Sequence, residues 1–69
     1  MSWIPLDSSN LDACEYDDQT QTLAIKFRNG NIYHYFDVPE HVFEGLRTAP
    51  SPGQYLHVEI KGIYRYAKD

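Results

Sequence analysis

Apolar and polar positions alternate with a period of two through the middle of the chain. From Thr22 to Arg28 the sequence reads Thr-Leu-Ala-Ile-Lys-Phe-Arg, and from Asn31 to Phe36 it reads Asn-Ile-Tyr-His-Tyr-Phe. Both are strand patterns, and Asn29-Gly30 between them is a hairpin signal, since a type I′ turn needs φ > 0 at both central residues. A two-residue loop sets Arg28 opposite Asn31, Phe27 opposite Ile32 and Ile25 opposite His34. Residues directly opposite share a face. One face is then Leu23, Ile25, Phe27, Ile32, His34 and Phe36, which reads as core. The other is Ala24, Lys26, Arg28, Tyr33 and Tyr35.

Upstream, Leu11 to Tyr16 supplies a further strand, with Leu11, Ala13 and Glu15 on one side and Asp12, Cys14 and Tyr16 on the other. The polar run Asp17-Asp18-Gln19-Thr20-Gln21 makes the turn between strands. Trp3 to Leu6 is apolar but interrupted by Pro5, as in an extended arm or short edge segment. Downstream, Asp37 as cap, Pro39 in the first turn, Glu40 and Glu44 at the positive end and Pro50 as stop define a helix. Its apolar stripe is Val42, Phe43 and Leu46; Gly45 inside it marks a close approach by another element. Ser51, Pro52 and Gly62 punctuate a second short helix, although Tyr55 to Ile60 also alternates as a strand would. Ile63 to Tyr66 is a short extended piece positioned to add to the sheet.

The prediction is an α+β domain: a three-stranded antiparallel meander packed against one helix and a second short helix. Its core comprises Leu23, Ile25, Phe27, Ile32, Phe36, Val42, Phe43, Leu46 and Ile60. At 69 residues the chain is a single domain, residues 1–69, and a chain of this size buries only about 60% of its unfolded surface. One cysteine excludes an internal disulfide and a multi-cysteine zinc site. Ten aromatics, six of them Tyr, supply the missing stabilisation. The lone cysteine, and an opening with no basic region before an apolar run, predict a cytoplasmic protein, and no segment is apolar enough to enter a membrane.

The net charge of −4 weighs against general polyanion binding. The basic residues nonetheless fall near aromatics. In the predicted register Tyr33 and Tyr35 share a face with Lys26 and Arg28, an arrangement with which single-stranded RNA readers stack bases and hold phosphates. Arg47, Lys61 and Arg65, with Lys68, form a second cationic strip beside Tyr55, Tyr64 and Tyr66. The alternative is that Tyr33 and Tyr35 pack under a helix as core, leaving a protein-interaction or homodimerisation module. His34, His41 and His57 lack metal-ligand spacing, Cys14 has no partner cysteine or nearby cation, and no serine sits in a nucleophile elbow. No enzyme, metal or cofactor is predicted.

One ordered series runs through nearly the whole chain: Met1-Ser2-Trp3-Ile4-Pro5, Ser8-Ser9-Asn10, Tyr16-Asp17, Phe27-Arg28-Asn29-Gly30 and Tyr33-His34-Tyr35. It continues through Val38-Pro39, Phe43-Glu44-Gly45-Leu46, Ala49-Pro50-Ser51, Gly53, Tyr55, Ile60 and Tyr64. In this series the chain resembles the KTSC domain, named for the C-terminal extension of some lysyl-tRNA synthetases, with Tyr33 and Tyr35 as its central Tyr-x-Tyr. The resemblance implies a small domain found alone or appended, with RNA binding as its suggested role. The chain has His57 where the resemblance leads one to expect Asn.

Overall fold

The computed structural model describes residues 3–69; the Met1-Ser2 start of the ordered series lies outside them. Five antiparallel strands form one sheet in simple meander order: β1 (Ile4–Pro5), β2 (Leu11–Asp17), β3 (Thr22–Phe27), β4 (Ile32–Tyr35) and β5 (Tyr66–Lys68). Between β4 and β5 the chain crosses one face of the sheet as α1 (Glu40–Thr48) and α2 (Pro52–Tyr55). A single π-helical turn, Leu56–Ile60, continues α2. The α+β class is therefore as expected, but the sheet has five strands where the alternation predicts three. The additions are the Pro5 edge segment and a C-terminal strand that begins where the predicted extended piece ends.

The register of the central hairpin differs from the prediction by one residue. Leu23 pairs with Tyr35, Ala24 with His34, Ile25 with Tyr33 and Lys26 with Ile32. The loop has three residues, Arg28-Asn29-Gly30: the Gly30 N–H donates to the Phe27 carbonyl at 2.9 Å, and the Phe27 N–H donates to the Asn31 carbonyl at 2.8 Å. Of the three loop residues only Gly30 has a positive φ, +94°, so the turn is a type I turn closed by a glycine bulge rather than type I′. The Asn29 carboxamide oxygen accepts from the Asn31 N–H at 3.0 Å and secures it. A slip of one residue sends each side chain of a strand to the opposite face. Tyr33 and Tyr35 thus share a face with Leu23 and Ile25, while His34, Ile32 and Phe36 share the outer face with Ala24 and Lys26. Neither Ile32 nor Phe36 is in the core, and His34 lies 3.8 Å from the Asp69 carboxylate on the outer face.

A second irregularity corrects the sides assigned to the first strand. The β2–β3 register shifts between Leu11 and Ala13, so the bulge at Asp12 turns both Leu11 and Cys14 inward, and both are buried. The core is Leu6, Leu11, Cys14, Leu23, Ile25 and Tyr35 from the sheet side, with Val38, Val42, Phe43, Leu46, Leu56 and Ile60 packed over them. Phe27 is half-buried at its margin.

Asp37 does not cap α1. Its φ of +58° places it in the left-handed region, and Pro39 takes the N-cap position. Two long-range bonds at Val38 fix the approach to the helix instead: the Tyr16 hydroxyl donates to the Val38 carbonyl at 2.6 Å, and the Val38 N–H donates to the Gln21 carbonyl at 2.9 Å. Tyr16 also stacks on Phe43, with ring centroids 4.8 Å apart. In the second helical segment Ser51 is the N-cap and Pro52 occupies the first turn, as the punctuation predicts, although the Ser51 side chain makes no capping bond.

Candidate functional site

The sheet's inner face is wider than its helical cover. The uncovered end leaves a cleft of about 450 Å³ between the β3–β4 hairpin, β5 and the π turn. Its sheet side is aromatic. Phe27 meets Tyr33 edge-on at 5.4 Å between centroids, Tyr33 lies 5.7 Å from Tyr66, and Tyr66 lies 5.8 Å from Tyr35. Cross-strand pairing produces this chain of rings, because Tyr35 is opposite both Leu23 and Tyr66. Tyr66 is 57% exposed, Tyr33 half-buried and Tyr35 only 4% exposed.

Three carboxamides, Asn10, Asn29 and Asn31, also line the cleft. They converge because the turn at residues 8–10 is clipped to the hairpin loop. The Ser8 hydroxyl accepts from the Asn10 and Leu11 N–H groups at 3.2 Å each. The Arg28 N–H donates to the Asn10 carbonyl at 3.0 Å, and Arg28 Nε donates to the Ser8 carbonyl at 2.8 Å. The helical wall carries His57 and Lys61. The π turn sets them there: Leu56 and Ile60 point into the core, and the Lys61 N–H closes the wide turn on the Leu56 carbonyl at 2.8 Å. Such turns recur at functional sites. Among the described residues no carboxylate lines the cleft, in a chain with ten acidic side chains.

Of the residues predicted to bind nucleic acid, the structure brings Tyr33, Tyr35 and Lys61 together in this cleft. It does not assemble the predicted sheet-face platform. Lys26 is on the outer face, two residues from Ala24 and opposite Ile32. Arg28 is held by the Ser8 carbonyl and lies 4.0 Å from Asp12. Arg47 pairs with Glu44 at 2.7 Å on α1. Arg65 lies 3.6 Å from Asp37, over the Phe36 ring, so the predicted cationic strip is divided: Arg47 and Arg65 go to separate acidic partners, Lys61 lines the cleft and Lys68 pairs opposite Tyr33 on β5. Sequence reasoning passed over Asn10 and Asn31, because they gather only through the one-residue change in loop length and the clip to Ser8. Tyr66 was visible as an aromatic but not as a neighbour of Tyr33 and Tyr35, since that proximity depends on the fifth strand.

Burial raises the Tyr35 phenol above its ordinary value, with the Tyr33 and Tyr66 phenols adding to the effect. Its hydroxyl, protonated at neutral pH as an ordinary phenol is, has no hydrogen-bond partner among the described residues. Burial also lifts the Cys14 thiol to about 11, against a smaller opposing effect of Arg47, so this cysteine is an inert core residue. Among the described residues no three His, Cys, Asp or Glu side chains gather as a metal site, and no helix is long and apolar enough to cross a membrane.

The sequence model of the KTSC domain family matches residues 7–66. A lysine–tRNA ligase of Nostoc sp. is 48% identical over 60 residues, which cover 87% of this chain and 11% of the ligase. A protein of Tsukamurella paurometabola is 38% identical over 61 residues, covering 88% of this chain and 91% of its own length. The crystal structure of a KTSC domain protein from Yersinia pestis superposes with a TM-score of 0.93 at 32% identity, covering 99% of this chain and 96% of that one. The chain thus matches a small part of the ligase and nearly the whole of the two small proteins.

Proposed function

The chain belongs to the KTSC domain family, and we propose that it is a non-catalytic binding module whose ligand is single-stranded RNA, held in the aromatic–amide cleft. One observation carries this reading: aromatic rings, of which Tyr66 is exposed, three carboxamides and a lysine line one concave site with no carboxylate among the described residues. Readers of single-stranded RNA combine stacking rings, groups that bond base edges, and cations for the backbone. Relatives at up to 48% identity are named as lysine–tRNA ligases, so the domain occurs in proteins whose named substrate is an RNA. The non-catalytic part rests on the same lining, which among the described residues holds no Ser, Thr, Cys, Asp or Glu to act with His57.

The net charge of −4 provides no long-range attraction for a polyanion, so affinity must arise locally in the cleft. Titration of labelled single-stranded RNA at low ionic strength tests this, and absence of binding there refutes it. Tyr66→Ala, at a ring 57% exposed, is expected to weaken binding by about 1–3 kcal/mol, the worth of one stacked base. Its melting temperature should stay near that of the parent.

A protein partner or second copy is the alternative. It is favoured by the open edge of β5, which pairs with β4 on one side only. Light scattering over a concentration series distinguishes it: a stable dimer that Tyr66→Ala dissolves would place the tyrosines at an interface instead.

A further inference from the structure

We propose that the cleft admits one unstacked nucleobase and reads it through uncharged contacts, with Lys61, the one cation lining it among the described residues, as a phosphate partner. This rests on the RNA reading above and specifies what part of the RNA is held. A space of about 450 Å³ is at the small end of the roughly 300–1,000 Å³ range of ligand pockets. It suits one nucleotide rather than a run of them.

The hydrogen-bonding groups in the cleft are unspent. The side chains of Asn10 and Asn31 make no hydrogen bond among the described residues, and Asn29 uses only its carboxamide oxygen. The Tyr35 hydroxyl, on a residue 4% exposed, likewise has no partner there. A carboxamide offers a donor and an acceptor side by side, and the edge of a base engages both where a phosphate engages only the donor. Phenol rings on the sheet side and the His57 ring on the helical side supply flat apolar surface for the base itself.

The cations show what the site does not do. Arg28, Arg47 and Arg65 each have an acidic neighbour, Lys26 is on the outer face, Lys68 pairs opposite Tyr33 on β5 beside the cleft, and among the described residues only Lys61 lines it. A phosphate track would need several free cations along a groove. In a duplex the bases are stacked and their edges paired, so a cleft built this way excludes double-stranded RNA.

The experiment compares three probes on the intact protein: the four ribonucleosides, a mixed-sequence single-stranded RNA, and the same RNA annealed to its complement. Each is titrated before and after a fourfold rise in salt. With Lys61 engaged, alone or together with Lys68, single-strand affinity should fall only about three- to sevenfold, against about 300-fold if six cations were engaged. The duplex should bind at least about tenfold more weakly than the single strand. Asn10→Ala and His57→Ala, both at exposed positions, should each weaken the single strand by about fivefold or more. Arg47→Ala should leave it unchanged.

RNA binding with a steep salt response and no preference over duplex would overturn the one-base cleft and leave RNA as the ligand. Nucleosides binding while the oligonucleotide does not would support the base pocket and overturn the RNA reading. Binding of neither would overturn both.

Discussion

Gly45 sits in the middle of α1, where glycine ordinarily costs up to about 1 kcal/mol relative to alanine. The structure supplies the reason for it. A Cβ at this position would stand 2.7 Å from Tyr55 Cζ, and the Tyr55 hydroxyl donates to the Val42 carbonyl at 3.1 Å on the same helix. The hydroxyl end of the ring occupies the space that glycine leaves bare. Gly45→Ala should therefore destabilise the domain, by about 1–3 kcal/mol, because the ring must leave its bond with Val42 to make room. In a Tyr55→Leu background, which lacks the hydroxyl, Cζ and Cε2, the same substitution should be neutral or stabilising. A urea-denaturation cycle over the four proteins measures the coupling, and additive effects would disprove the contact. That some element approaches Gly45 is legible in the sequence, since a mid-helix glycine without a cap needs a steric reason. That the element is Tyr55 is not, because Tyr55 falls in a segment with both helical punctuation and strand alternation.

The central hairpin shows where element-scale reading succeeds and where it fails. Both strands and the turn between them are visible in the alternation and in Asn29-Gly30. The register is not, for two reasons. Asn-Gly suits a two-residue loop with both residues left-handed, but it equally suits a three-residue loop in which only Gly30, at φ +94°, is left-handed. Alternation normally breaks such a tie, but β4 is aromatic or apolar on both sides, with Tyr33 and Tyr35 on one and Ile32 and Phe36 on the other. Packing under the helices decides it. Tyr35, 4% exposed, fills the core beside Leu23 and Ile25. Gly30 has no heavy atom within 4 Å of where a Cβ would stand. Gly30→Ala should then cost about 1–2 kcal/mol through backbone conformation alone. Gly30→Asn should cost less, because asparagine tolerates the left-handed region. Equal denaturation midpoints for alanine and asparagine would exclude this account.

At the scale of the molecule, the cleft is drawn from three separated stretches: residues 10–11, the hairpin from Phe27 to Tyr35, and the segment from Gly53 to Tyr66. Its aromatic and cationic members are visible individually in the sequence, but their meeting depends on the fifth strand, the π turn and the Arg28–Ser8 clip, none of which has a strong local signal. The same packing makes the whole domain sensitive to alkali. Burial raises the Cys14 thiol from 9.0 to about 11. It raises the phenols of Tyr35, Tyr16 and Tyr55 in the same direction, helped by neighbouring phenols or carboxylates. A thiol or phenol raised in the folded state holds its proton more tightly there than in the unfolded chain. Its contribution is complete below the unfolded value and is lost as pH rises toward the folded one. For Cys14, 0% exposed, that window runs from pH 9.0 to about 11, with a loss of up to about 1.4 kcal/mol per pH unit. Unfolding free energy measured in urea should therefore hold steady through neutral pH and fall above pH 9 as the thiol and then the phenols ionise on unfolding. Cys14→Ala removes the first of these groups without adding a charge, so its stability should fall less steeply across the lower part of that window while the phenol-linked decline persists. If parent and variant decline in parallel from the outset, the thiol is not held in its protonated form by the core, and the tyrosines alone account for the alkaline loss.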